Sequence, residues 1–294
     1  MTGAPGASGI LAELRISALV TAALASTLSD ERAATPAEAL ALDPARAAVL
    51  DALPDAESAL TELWEGRRAR SGSLVSGLSQ AAAAAGGTVR AWSDLGDDVM
   101  IAQGRSSALM ARVLLESVAP AYGVATPTRV LDVGTGIGAI ATALAEGMPS
   151  ADVVGIDIAE RPLGIARALL AEADPHVGDR VLLRREDVTE LSDHSAYDLV
   201  WMPLPFLPDA IVDRALDRAV AALRPGGLLV LGTLPPVADE RLRAADAWLA
   251  TLTGGGTLTR DEVVERLSTR GLERIRSFDT VPGAPVLVAA VVPR

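Results

Sequence analysis

No cysteine, lysine or asparagine occurs among the 294 residues. Without cysteine there can be no disulfide, no thiolate metal site and no thiol nucleophile. Aromatic residues make up only 3% of a chain that is 50% hydrophobic, so Ala, Leu and Val must fill most of the core. Positive charge is also scarce. The net charge is -12 and the isoelectric point about 4.7, a surface that repels a phosphate backbone, and no nucleic acid partner is expected. The most apolar early stretch, Ile16 to Ala25, follows Glu13 and Arg15 and has no basic segment ahead of it, a poor match to a signal peptide. No segment reads as the roughly 20 uninterrupted apolar residues of a spanning helix. The expectation is a soluble, cytoplasmic protein with no membrane partner.

What is present divides at about residue 125. From Ile10 to about Ala125 the pattern is helical, with Ala- and Leu-rich runs punctuated by Asp30, Pro36, Pro44 and Pro54. Ser71 to Gly87 ends in AAAAAGG, which reads as a tightly packing helix with a glycine stop or as a hinge, the helix being favoured. After Pro127, short β-branched runs alternate with amphipathic stretches, the pattern of a parallel sheet with crossover helices. Strands are expected at Arg129 to Val133, Asp152 to Asp157, Arg180 to Arg185, Tyr197 to Met202, Leu228 to Thr233, Glu273 to Phe278 and Val286 to Val292. The fold class is therefore α/β, a seven-stranded sheet (residues 126–294) behind an N-terminal all-helical cap domain (residues 1–125) for substrate binding or dimerisation.

The chemistry concentrates in Val130 to Gly138, VLDVGTGIG. Gly134, Gly136 and Gly138 carry no Cβ and can take positive φ, so backbone and ligand can approach closely. The free amides of the following helix suit an anionic group. Taken alone, the turn also fits the dinucleotide pattern G-x-G-x-x-G/A, with Ala139 last. Asp132, two residues before the first glycine, is placed to receive an ammonium group. Asp157, followed by Ile158, ends the second strand, where a carboxylate can accept both ribose hydroxyls or simply cap a helix. Asp187 and Val188 follow the third strand, where a side-chain acceptor and a backbone amide can read an adenine edge; a solvated turn is the alternative.

VLDVGTGIG, VVGIDI, REDV, YDLVWMPLPFLP and LRPGGLLVLG, in this order and spacing, resemble the successive motifs of class I S-adenosylmethionine-dependent methyltransferases. The resemblance covers about Thr126 to Arg294. It implies a Rossmann-like seven-stranded methyltransferase sheet with an antiparallel last strand. It also implies S-adenosylmethionine as cofactor, S-adenosylhomocysteine as product, and a site that includes Thr135 and Met202. AQGRSS, Ala102 to Ser107, resembles a segment of bacterial small-molecule relatives, in which Gln103 and Arg105 would touch the methionine carboxylate. An exposed helix face is the other reading. Asp43 to Leu53 resembles faintly the winged-helix dimerisation module of small-molecule O-methyltransferases, and a homodimer is expected on that ground alone.

The fourth-strand exit, Trp201-Met202-Pro203-Leu204-Pro205-Phe206-Leu207-Pro208, is where this family places the methyl-accepting atom. Its position is similar to the Asn/Asp-Pro-Pro-Tyr/Phe loop of amino-group methyltransferases, but Met202 replaces the polar residue. The expected acceptor is a small, largely apolar or aromatic metabolite against Trp201, Pro203 and Phe206, in the context of secondary metabolism. Trp201 and Phe206 could equally be core anchors. No catalytic base can be assigned. His176 and His194 fall on the remote edge of the sheet, and Asp94, Asp97, Asp98 and Glu116 are candidates only if they are not caps or loop acids. No metal is expected, because no acid follows the fourth strand until Asp209. A non-catalytic S-adenosylmethionine-binding regulator and an NAD-dependent oxidoreductase are the alternatives.

Overall fold

The computed structural model describes residues 7–51, 55–87, 91–124, 127–234, 239–280 and 285–294. Pro54 and the expected boundary at residues 125–126 lie outside them. Contacts divide the chain into two compact units, residues 1–82 and 83–294. The last helices of the segment expected as the cap thus belong to the unit that holds the sheet.

The first unit consists of helices α1 (Ala7–Ser29), α2 (Pro36–Ala41), α3 (Pro44–Leu50), α4 (Ala56–Trp64) and most of α5 (Arg67–Ala85). Thr35 and Asp43 accept the amides of Glu38 and Arg46, each one residue before a proline in the first helical turn, and so fix where α2 and α3 begin. Leu28, Leu50 and Leu60 form a small core. Asp30 knits its edge, held well below the usual carboxylate range by the adjoining Arg32 and Arg46 guanidinium groups. The Ser71–Gly87 stretch is helical through Ala85, as its composition predicts.

One early expectation is corrected here. α1 runs unbroken through Glu13 and Arg15 and is long and apolar enough, by length and composition, to cross a membrane. Two isolated charges do not interrupt a 23-residue helix. Ile10, Leu11, Leu14, Ile16 and Leu19 are exposed along it.

The second unit opens with a 3-10 turn at Trp92–Asp94, helix α6 (Asp97–Ser107), and α7 (Leu109–Val113) leading through a π-helical turn into α8 (Ala119–Ala121). The sheet follows, as β1 (Arg129–Val133), β2 (Asp152–Asp157), β3 (Val181–Arg185), β4 (Tyr197–Pro203), β5 (Leu223–Gly232), β6 (Glu273–Phe278) and β7 (Leu287–Val291). Its crossovers carry α9 (Ala139–Gly147), α10 (Glu160–Ala171), α11 (Pro175–Gly178) and α12 (Asp209–Ala222), and α13 (Glu240–Leu252) and α14 (Arg260–Thr269) precede β6. The strand order is β3-β2-β1-β4-β5-β7-β6, with β7 antiparallel to both neighbours.

Both faces of the sheet are covered, which is why its strands read as near-continuous apolar runs. Leu131, Val133, Val200, Met202, Leu229 and Leu231 pack on one face with α12 and α14. Val130, Val153, Leu199, Trp201, Leu228 and Val230 pack on the other with α9. The order reverses between β1 and β4, so the loops leaving their carboxyl ends diverge and open a crevice between them.

Candidate functional site

The crevice is lined first by the turn after β1. Gly134, Gly136 and Gly138 have φ of 68°, 54° and 74°, a left-handed backbone that strains any residue with a Cβ. The Thr135 amide donates to the Ile156 carbonyl, which ties the turn to β2, and Gly138 leads directly into α9. The first amides of α9 have no acceptor within the helix and carry the positive end of its dipole.

Asp132 is 1% exposed. Its Oδ2 accepts the Thr135 hydroxyl at 2.7 Å, while its Oδ1 has no hydrogen-bond partner among the described residues. Burial lifts its pKa to about 7; the Thr135 hydroxyl and the Ala141 amide oppose the shift, and the nearby Asp157 adds to it. Such an orphaned oxygen is costly unless a ligand satisfies it. Gly155, the register partner of Asp132 on β2, makes the arrangement possible, since a Cβ there would lie 2.7 Å from Thr135 Oγ1. A glycine inside an otherwise β-branched strand signals such close approach, and it could have been read from VVGID.

Asp157 closes β2 beside the same turn. Its Oδ2 accepts the Gly136 amide at 2.9 Å and its Oδ1 the Ala159 amide at 2.8 Å. Burial raises its pKa, and the Ala159, Gly136 and Ile158 amides lower it. These bonds fix the carboxylate while each oxygen keeps a lone pair for a hydroxyl. The neighbouring Ile158 is 64% exposed, an apolar side chain left bare at the site. Asp187 is exposed and caps a 3-10 turn through the Thr189 amide, and Val188 is buried beneath it. Capping uses Oδ1 and leaves Oδ2 for a further donor.

The other expected contacts lie on α6 and at or just after the end of β4. Gly104 of α6 packs so closely on Ile137 that a Cβ would overlap its side chain, which seats α6 on the glycine turn. Gln103, beside it, faces Ser107 at 3.4 Å. Arg105 is exposed and lines a cavity of about 280 Å³ that runs from Ile137 of the glycine turn and Ala139, the first residue of α9, along α9 to Glu146. Met202 is fully buried in the core, so only its backbone faces the crevice edge. Trp201 is 3% exposed on the opposite face, against Gly232, and is a core anchor rather than a wall of the crevice. Strand alternation sends these two neighbours to opposite faces, both occupied by core. Pro203 ends β4 beside Gly134, and Phe206 is 45% exposed in the turn that follows.

The candidate bases are mostly engaged in structure. Asp94 accepts the Ala91 amide, Asp97 pairs with Arg161, and Glu116 pairs with Arg112 one helical turn away. Asp98 is exposed in the first turn of α6. His176 in α11 and His194 before β4 lie at the amino ends of the strands, the edge remote from the crevice. Two residues near the site gave no sequence signal. Arg161, at the start of α10, donates to the carbonyls of Ser93 and Leu95, and Trp92 meets Phe206 edge to face.

A doubly covered sheet with a reversed last strand, a glycine turn and two acids near the ends of β1 and β2 make a Rossmann-like α/β domain with a seat for a nucleoside-bearing cofactor. Residues 130–227 match the family model described as a methyltransferase domain. A malonyl-[acyl-carrier protein] O-methyltransferase from Methylococcus capsulatus is 32% identical over 155 residues, 51% of this chain and 54% of that protein. Aclacinomycin 10-hydroxylase RdmB from Streptomyces purpurascens is 33% identical over 207 residues, 65% of this chain and 54% of that protein. The chain thus spans about half the length of these curated relatives. In fold it is similar to human N-acetylserotonin methyltransferase, solved in complex with SAM, with a TM-score of 0.62 at 14% identity and 100% of each chain covered. Residues 130–227 are thus similar to a methyltransferase domain, and S-adenosylmethionine is the cofactor bound in the structural neighbour.

The residues of the crevice fit that cofactor. Two partly desolvated carboxylates, with no paired cation among the described residues, suit a ligand that carries an ammonium group and vicinal hydroxyls. The bare Ile158 suits a flat base.

Proposed function

We propose that this protein transfers the methyl group of S-adenosylmethionine to a small, largely apolar or aromatic acceptor at the exit of β4, in secondary metabolism. The observation that carries the reading is Asp132, whose buried Oδ1, at the mouth of the glycine turn, has no partner among the described residues. The cofactor supplies a methyl group on a positively charged sulfonium and leaves as S-adenosylhomocysteine. Asp132 would hold the ammonium, Asp157 the ribose hydroxyls, the first amides of α9 the carboxylate, and Ile158 with Asp187 and the Val188 amide the adenine. Gly134, Thr135, Gly136 and Gly138 shape the seat.

The protein's own contribution to the reaction is alignment and exclusion of water, with positioning able to supply up to about 7–11 kcal/mol of the barrier. Pro203 and Phe206 offer the acceptor an apolar edge with no amide or carboxylate to grip a planar nitrogen. Calorimetry with S-adenosylmethionine and S-adenosylhomocysteine tests the first half of the reading, and no heat at millimolar concentration refutes it. Incubation with a metabolite panel tests the second, through a product heavier by one methylene.

The similarity to a protein named as a hydroxylase favours one alternative, cofactor binding without methyl transfer. Binding heat with S-adenosylmethionine, with the cofactor recovered intact and no methylated product from the panel, is its signature. The remaining readings are a cytoplasmic location and a homodimer covering the exposed apolar side chains of α1. Light scattering tests the dimer, and a particle of 30.2 kDa refutes it.

A further inference from the structure

Of the chain's two phenylalanines and four tryptophans, one of each meets at the rim of the crevice. Their ring centroids are 5.5 Å apart with planes inclined at 69°. Phe206 stands in the turn after β4, where the acceptor edge lies, and Trp92 packs against the cluster of Leu95, Val99, Met100 and Ile137. Ile137 belongs to the glycine turn, so Trp92 spans from the cofactor's seat to the acceptor's edge.

Both rings are anchored from outside the pair. Arg161 donates to the Ser93 and Leu95 carbonyls and to Asp97, holding the turn that carries Trp92. Behind Phe206, the Pro205 carbonyl sits against Gly255 in the space a Cβ would take, and Asp209 accepts the Thr257 amide at 3.1 Å. Two rings fixed this way, one of them 45% exposed, can be maintained without each other.

We propose that Trp92 and Phe206 form an aromatic wall that selects flat aromatic acceptors over saturated rings of the same size. The inference rests on the methyl-transfer reading for the word acceptor, while the selectivity follows from the rings. Burial favours any apolar ring, but the negative faces and positive edges of Trp92 and Phe206 add an attraction only an aromatic ligand returns.

The test measures binding of 2-naphthol and of fully saturated decahydro-2-naphthol to the protein saturated with S-adenosylhomocysteine. The wild-type protein is expected to prefer 2-naphthol by about three- to tenfold. Trp92→Leu should abolish most of that preference while leaving the S-adenosylhomocysteine dissociation constant unchanged, and Trp92→Phe should retain it. An unchanged preference in Trp92→Leu overturns the proposal, as does failure of both probes to bind the wild-type protein. If S-adenosylhomocysteine itself gives no heat, the methyl-transfer reading fails. The same naphthol comparison without it still decides the aromatic wall.

Discussion

Replacing Asp132 by Asn should make the protein more stable and a poorer cofactor binder at once. In the folded protein the carboxyl titrates at about 7 instead of 3.8, chiefly because it is buried. Between those values the unfolded chain has released a proton that the folded chain retains, so stability falls as pH rises from about 4 to about 7 and is level beyond. At about 1.4 kcal/mol per unit, ionised Asp132 costs the folded state about 4 kcal/mol above pH 7. An Asn side chain keeps the shape, accepts the Thr135 hydroxyl and carries no charge. Asp132→Asn should therefore gain about 2–4 kcal/mol at pH 8, a rise in melting temperature of about 5–10 °C, and about 2 kcal/mol less at pH 5.5. The same change removes a charged hydrogen bond to the cofactor's ammonium and should weaken S-adenosylmethionine binding by about 1.5–3 kcal/mol. Wild-type affinity should rise with pH up to about 7 and then level, and the variant's should stay flat over that range. Urea unfolding across pH with parallel calorimetry reads both effects. An unchanged melting temperature together with unchanged affinity would refute the reasoning, since the charge would then be neither strained nor waiting for a cation. A site that gives up stability to hold an unpaired charge is a familiar trade of stability for activity.

Asp157→Ala should weaken cofactor binding by about 1.5–3 kcal/mol, measured by calorimetry, and an unaltered constant would show that the ribose does not sit there. Gly155→Ala would push against Thr135 and Leu183, and should lower stability by about 1–3 kcal/mol together with cofactor affinity. Denaturant melts of that variant beside Gly164→Ala, where nothing lies within reach of a Cβ, separate the clash from a general effect of alanine. Tyr122→Phe removes the hydroxyl that serves the Arg274 and Ala289 carbonyls and should cost about 1–3 kcal/mol in thermal unfolding while leaving cofactor affinity unchanged.

Much of the second unit was legible because its signals are local. All seven strands stand where β-branched runs between turn residues place them, with ends shifted by a few residues at most except β5, which starts at Leu223. That extension runs through Arg224-Pro225-Gly226-Gly227, turn residues that the pairing of Tyr197 with Leu223 and the bond from Gly226 to Val292 absorb into the strand. The three positive-φ glycines and the two acids beside them were equally readable, because Asp132 and Asp157 end strands and a strand end is a sequence position.

The amino-acid sequence by itself determined the sheet, the glycine turn and the kind of group that could be bound there, since each depends on neighbours a few residues apart. Tertiary structure decided what each side chain faces. It sent Trp201 and Met202 into opposite cores and left Ile158 bare. It also gave Asp132 an oxygen with no partner among the described residues and brought Trp92 to Phe206 across more than a hundred residues of chain. Burial and pairing at such separations are set by packing, which no local pattern encodes.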